Sequence, residues 1–349
     1  MSFQPIHIPP IMLDTSPVYE FINSIHVFSA SRFERKYDIS PQWFDEVEVK
    51  ASPELLASIE IFPQKCSHGL IELAYDCPTP KDIPAFLDYL ATIDPWELRL
   101  HMVGYYTRGL HHSIPADLIQ QAIRGDNEAQ RQFARMSNLD EPLLQKALLS
   151  FLTNEPDEIK QHLLTMTNCW YEEIFRDMEP EITPILLRDV EAKRALQQTV
   201  PPERFIELAT NGYEYIPEPF IREIILTPTY FGRPYIHISE YRDIRIFAYP
   251  VADENITTDT KAPPARFIRL YKALGDERRL RILKELSTGS YGLQELADSL
   301  GVGKTTLHHH MVILRSAGLI RLRSSDKRYS LREGTIPSDL LAAYLKKEM

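Results

Sequence analysis

The sequence of 349 residues predicts a multidomain, mainly α protein with a small antiparallel β part and a C-terminal winged helix-turn-helix. Three observations predict it. Apolar residues recur at helical spacing over most of the first 200 positions, a short stretch rich in β-branched and aromatic residues follows, and charge divides along the chain. Residues 265–349 hold 16 Lys and Arg against 9 Asp and Glu, whereas residues 1–264 hold 23 against 40. A basic module suited to a polyphosphate surface is thus joined to an acidic body. With 44% apolar residues, a chain of this length has material for two or three cores.

The helical elements open in a recurrent way. Pro17 follows a Ser16 cap and precedes Val18, Phe21, Ile22, Ile25 and Phe28 at helical spacing. Pro53-Glu54 precedes Leu55, Leu56 and Ile59, and Pro84-Ala85 precedes Phe86, Leu87 and Leu90. Further helices are expected over 116–124, 128–136, 142–153, 157–179 and 181–198. The acidic run from Asp177 to Glu181 reads as the junction between the last two, because acids in a first turn favour the helix dipole. From 213 to 250 short runs such as Glu223-Ile224-Ile225-Leu226 and Arg245-Ile246-Phe247-Ala248-Tyr249 predict a small antiparallel sheet. Residues 251–264 are polar, lack periodicity and end in Pro263-Pro264, the features of a linker. The expected domains are therefore a body at 1–250, the linker at 251–264 and the basic module at 265–349.

Within the module Asp276 is placed to cap a helix whose apolar stripe is Leu280, Ile282, Leu283 and Leu286. Leu293, Leu296, Ala297 and Leu300 follow at i, i+3, i+4 and i+7, and Gly301-Val302-Gly303 turns into a third helix near Lys304. There Leu307, Met311 and Leu314 repeat at core spacing, which directs Lys304, Thr305, Thr306, His308, His309 and Val312 outward. Short hydroxyls and a cation on the first turn of such a helix suit base edges and phosphates. Residues 319–332 alternate as a hairpin around Ser324-Ser325-Asp326-Lys327, a wing whose Lys327 and Arg328 face a DNA backbone.

These residues resemble the ArsR-like family of winged helix-turn-helix transcriptional regulators over residues 266–333. The motifs that carry the resemblance are LGDERRLRILKEL, LQELADSLGVGKTTLHHHMVILRSAGLI and the basic hairpin. The resemblance implies a homodimer packed through its first and last helices, residues 266–274 and 337–347, and a repressor bound to a pseudo-palindromic operator in double-stranded DNA. It also implies DNA-facing roles for Lys304, Thr305, Thr306, His308, His309 and Arg315. Glu277 stands where proline is frequent, His308 where serine is common, and Val312 at an often basic position. The cysteines or Asp/His pairs through which many members sense metals are missing from 292–298 and 339–345. Nor does His308-His309-His310 form a metal site, since consecutive helical residues point about 100° apart.

Elsewhere the chemistry is sparse. Cys66, His68 and Cys77 lack a fourth ligand, Cys169 stands apart, and His111-His112 reads as a loop pair. No phosphate loop, dinucleotide fingerprint, nucleophile elbow or zinc-protease motif occurs, so no enzymatic activity, metal or cofactor is expected. The N-terminus lacks a basic stretch followed by an apolar run, and no segment has the roughly 18 apolar residues of a membrane span. A cytoplasmic regulator with no membrane partner is expected, its body serving as an oligomerisation platform or as the sensor of an unidentified small-molecule effector. The alternatives are an interaction scaffold, or an enzyme fused to a DNA-binding module.

Overall fold

The computed structural model describes residues 7–31, 37–61, 66–79, 81–107, 114–136, 142–256, 263 and 265–332. Among these residues the chain is mainly helical with two small mixed sheets of four strands each. It divides into two compact units. The body comprises residues 9–191 and 219–251, and the second unit residues 1–8, 192–218 and 252–349.

The body begins with strand β1 (Ile11–Leu13) and helices α1 (Pro17–Ser31), α2 (Pro41–Lys50), α3 (Pro53–Ile61), α4 (Cys66–Asp76), α5 (Ile83–Thr92) and α6 (Pro95–Met102). Then come α7 (Ala116–Ile123), α8 (Asn127–Met136), α9 (Pro142–Thr153) and α10 (Pro156–Trp170). The proline openings share one basis, since the missing N–H costs nothing in a first turn, and at several of them a preceding side chain takes the next free amide, although Glu155 ahead of Pro156 does not. Asp82 accepts from the Ala85 amide at 2.8 Å, and Asp94 from those of Trp96 and Glu97. An aromatic cluster of Phe21, Phe28, Phe44, Trp170 and Phe175 forms the heart of the body, and Trp170 donates from Nε1 to Ser24 Oγ at 2.8 Å.

Two expectations for the body are corrected. The helical break near Pro180 is absent: α10 passes through a π turn, Tyr171–Phe175, into α11 (Arg176–Gln197), which holds Pro180 and Pro184 within it. A π turn releases backbone groups from the regular ladder, one of the ways a helix absorbs local disruption. The sheet is not antiparallel throughout. Strands β3 (Glu223–Thr229), β4 (His237–Tyr241) and β5 (Ile244–Pro250) join β1 in the order β1-β3-β5-β4, with β1–β3 and β3–β5 parallel and β4–β5 antiparallel. Near-continuous burial along β3 and β5 explains it, because parallel strands are covered on both faces and lose the in-out alternation of a meander.

The second unit adds α12 (Pro202–Ala209), β2 (Tyr213–Glu214), α13 (Ala265–Leu274), α14 (Glu277–Leu286) and β6 (Tyr291–Gly292). Helices α15 (Leu293–Leu300) and α16 (Lys304–Ser316) and the hairpin strands β7 (Ile320–Arg323) and β8 (Arg328–Leu331) complete it. Its sheet runs β2-β7-β8-β6, with β2 parallel to β7. The boundary expected at residue 250 is therefore too simple, since residues 192–218 pack with the C-terminal module. Nor is the start of the 251–264 segment a free linker. Asp253 takes both Nε and Nη2 of Arg269 on α13 at 2.7 Å, and its side chain is 12% exposed. Residues 257–262 and 264 lie outside the described residues, as does the second expected dimer helix at 337–347.

Candidate nucleic-acid interface

The module closes around one apolar core: Ile282, Leu283 and Leu286 of α14, Leu296 and Ala297 of α15, Leu307, Met311 and Leu314 of α16, and Tyr329 of β8. Local chemistry fixes each helix end. Asp276 caps α14 by accepting from the Arg279 amide at 3.0 Å, and that hydrogen bond holds its carboxyl below the usual carboxylate range. The Arg279 guanidinium reaches back to the Ala273 and Lys272 carbonyls at 2.7 and 2.8 Å, fastening α13 to α14. Glu295 accepts from the Gly292 amide at 3.0 Å at the head of α15. At its far end Gly301 adopts the left-handed conformation (φ 64°), which a side chain resists and glycine takes freely. This turn aims the N-terminus of α16.

Along α16 the side chains sort by depth. Lys304, Thr305, Thr306 and His308 are exposed and His309 is half-buried, while Leu307, Met311 and Leu314 are fully buried. His310 is 8% exposed, neither of its ring nitrogens has a hydrogen-bond partner, and burial lowers its pKa. The first turn of the helix is thus a cluster of one ammonium, two hydroxyls and an imidazole beside uncapped backbone amides, an arrangement suited to phosphate and base edges.

Two outward assignments are corrected. Val312 is 5% exposed and lies inside. Arg315 is 6% exposed, and its Nη1 donates to the Thr210 carbonyl at 3.1 Å. Burial pushes its guanidinium down to about 10. The outer face expected for Arg315 came from the family resemblance alone; here its guanidinium is taken by the Thr210 carbonyl, a partner no local pattern announces.

The wing also differs in detail from a free basic loop. Arg328 donates from Nη1 to Glu295 Oε1 at 3.0 Å and from Nη2 to the Ser290 carbonyl at 2.6 Å. It staples the hairpin to the start of α15 and leaves a partly exposed side chain. Lys327, exposed at the tip in left-handed conformation (φ 55°), has its Nζ 6.0 Å from the centroid of the Tyr213 ring. Arg323 is paired with Glu214 at 3.3 Å and Asp326 at 3.4 Å. The contribution of Tyr213 and Glu214 was missed in the sequence because a strand of two residues has no periodicity; the Asn211-Gly212 turn signal just before it was the only hint.

In the body, a small cavity is lined by Asn23, His26, His68, His237 and Ser239. His68 Nδ1 lies 3.0 Å from Ser239 Oγ, and the His26 and His237 rings meet edge to face at 5.0 Å. Burial, then the neighbouring His26 and His68, hold His237 neutral by lowering its pKa to about 3. Among the described residues, no group of three or more His, Cys, Asp or Glu side chains is arranged to hold a metal ion, and no helix is long and apolar enough to cross a membrane.

Comparison with known proteins addresses the C-terminal module. A protein of Methanocaldococcus jannaschii, described as an uncharacterized HTH-type transcriptional regulator, is 40% identical over 55 residues, which are 16% of this chain and 62% of the relative. No solved structure matches the chain. The family model described as bacterial regulatory protein, arsR family, matches residues 276–321, which span α14 to the second residue of β7. This stretch of the second unit is therefore an ArsR-family helix-turn-helix domain.

Proposed function

We propose that the protein is a DNA-binding transcriptional regulator that reads a pseudo-palindromic site as a homodimer. The observation that carries this reading is the exposed cluster Lys304, Thr305, Thr306 and His308 on the first turns of α16, within an ArsR-family helix-turn-helix. In such domains the second helix of the motif enters the major groove, and a two-fold dimer spaces two such helices by one turn of DNA. Exposed Ile268 and Tyr271 on α13 support a pairing surface at 266–274, because large apolar side chains at 38% and 40% exposure gain by being covered. Repression is the sign expected from the family likeness. The body acts as the sensor of a small-molecule effector, as the fusion of a large second unit to a DNA-binding module suggests; the histidine-lined cavity, about 20 Å³, has room for little more than a water molecule and is not that effector's site.

Selection of duplexes by the full chain from a random pool tests the reading. An enriched inverted repeat supports it; a pool that stays random refutes it. Analytical ultracentrifugation checks the dimer. A promoter fusion carrying the selected site checks the sign, and a screen for small molecules that change duplex affinity checks the sensor.

A further inference from the structure

Residues 204–216 lie well outside the matched helix-turn-helix, yet they bond to the wing and to the end of α16 at every turn. Strand β2 pairs in parallel with β7, Tyr213 opposite Leu322 and Glu214 opposite Arg323. The Leu322 amide donates to the Gly212 carbonyl at 2.8 Å and the Ser324 amide to that of Glu214 at 2.9 Å. The Ile216 amide donates to Ser324 Oγ at 2.7 Å. Asn211 Nδ2 donates to the Ser316 carbonyl at 2.5 Å, Arg315 donates to Thr210, and Arg332 Nε lies 3.2 Å from Glu207 Oε1 in a pair almost wholly buried. Gly212 is required by this approach. Its φ is +103°, and a Cβ there would lie 2.7 Å from the Ile320 carbonyl oxygen.

We propose that residues 204–216 form a strap that positions the wing and the C-terminal end of α16 for DNA. Without β2, strand β7 is the open edge of a small sheet whose far strand, β6, is only two residues long, and such an edge leaves a row of backbone groups unpaired. With it, the hairpin becomes the middle of a sheet, Lys327 is held beside Tyr213, and Arg323 is oriented by Glu214. Gly212, Tyr213 and Glu214 are thus positioning residues, acting on DNA through the wing. Beyond the strap the chain passes at residue 219 into the body, where it forms β3, β4 and β5, and re-enters the second unit at 252.

The proposal rests on the DNA-binding reading, and the test separates the two. In the full chain, Gly212→Ala drives a methyl group into the Ile320 carbonyl. The milder Thr210→Val removes the buried hydroxyl that accepts from the Tyr213 amide at 3.3 Å. Hydrogen exchange without DNA reports the strap: the Leu322 and Ser324 amides are expected to lose protection in Gly212→Ala while those of α14 keep it. Duplex titrations across salt report the wing. Losing one phosphate contact lowers the salt slope by about 0.9, which at 0.1 M salt is about an eightfold loss of affinity. Gly212→Ala is expected to show that loss, and Thr210→Val a smaller one in the same direction. If the unaltered chain binds no duplex, the DNA-binding reading falls. If it binds and both variants match it in affinity and slope, the strap has no positioning role, whatever the exchange shows.

Discussion

Replacing Arg315 distinguishes a groove-facing arginine from an internal one. At neutral pH the charge is held in a buried site that lowers its pKa to about 10. The unfolded chain holds that proton more tightly, so burial of the charge costs roughly 3 kcal/mol, a cost relieved only as pH rises through about 10. Opposing it are the hydrogen bond to the Thr210 carbonyl, about 1.5–3 kcal/mol for a charge-assisted bond, and the packed stem. These nearly cancel. Arg315→Met, which keeps the stem and removes the charge, is therefore expected to change stability by no more than about 1 kcal/mol. Arg315→Ala opens a void and leaves Thr210 O unpaired, at a cost of about 2–4 kcal/mol. Urea unfolding of the full chain measures both, and fluorescence anisotropy with a selected duplex at several salt concentrations measures the slope. A side chain 6% exposed displaces no counterions, so the slope stays constant. A fall of about 0.9 with unchanged unfolding in Arg315→Met would refute the internal assignment.

Other substitutions probe the rest of the interface. Lys304→Ala is expected to lower the salt slope by about 0.9 on every sequence, whereas Thr306→Ala keeps the slope and changes which bases a duplex selection enriches. Asp276→Ala removes the α14 cap and is expected to cost about 1 kcal/mol in urea unfolding. Because the Asp276 carboxyl is depressed, its contribution is present above the unfolded pKa near 3.8 and lost as pH falls through the lower folded value. The His237 imidazole is depressed too, but as a base: its contribution is complete above about pH 6.5 and declines as pH falls from there toward 3. His237→Gln should flatten the acid limb of the unfolding midpoint against pH, and an unchanged limb counts against the buried neutral imidazole.

Much of the interface was legible because its determinants are local. Asp276 as cap, Gly301-Val302-Gly303 as turn, and Leu307, Met311 and Leu314 at core spacing act over three or four residues, within the reach of a sequence pattern. The hairpin was legible for the same reason: strands 320–323 and 328–331 alternate about a polar turn. In the body, Pro17, Pro53 and Pro142 announce their helices correctly, while Pro41–Lys50 and Pro202–Ala209 passed unnoticed amid less regular apolar spacing.

The sequence by itself determined which residues form the helix-turn-helix and which short polar groups stand on the first turn of α16, since cap, turn and helical period are properties of neighbours along the chain. The tertiary structure alone decided that Val312 and Arg315 face inward, that β3 and β5 run parallel, and that the wing hairpin is flanked by β2 and β6. The parallel pairing, the flanking strands and the seat of Arg315 each depend on residues far away in sequence. Arg315 meets Thr210 across 105 positions, and no periodicity encodes a partner at that separation.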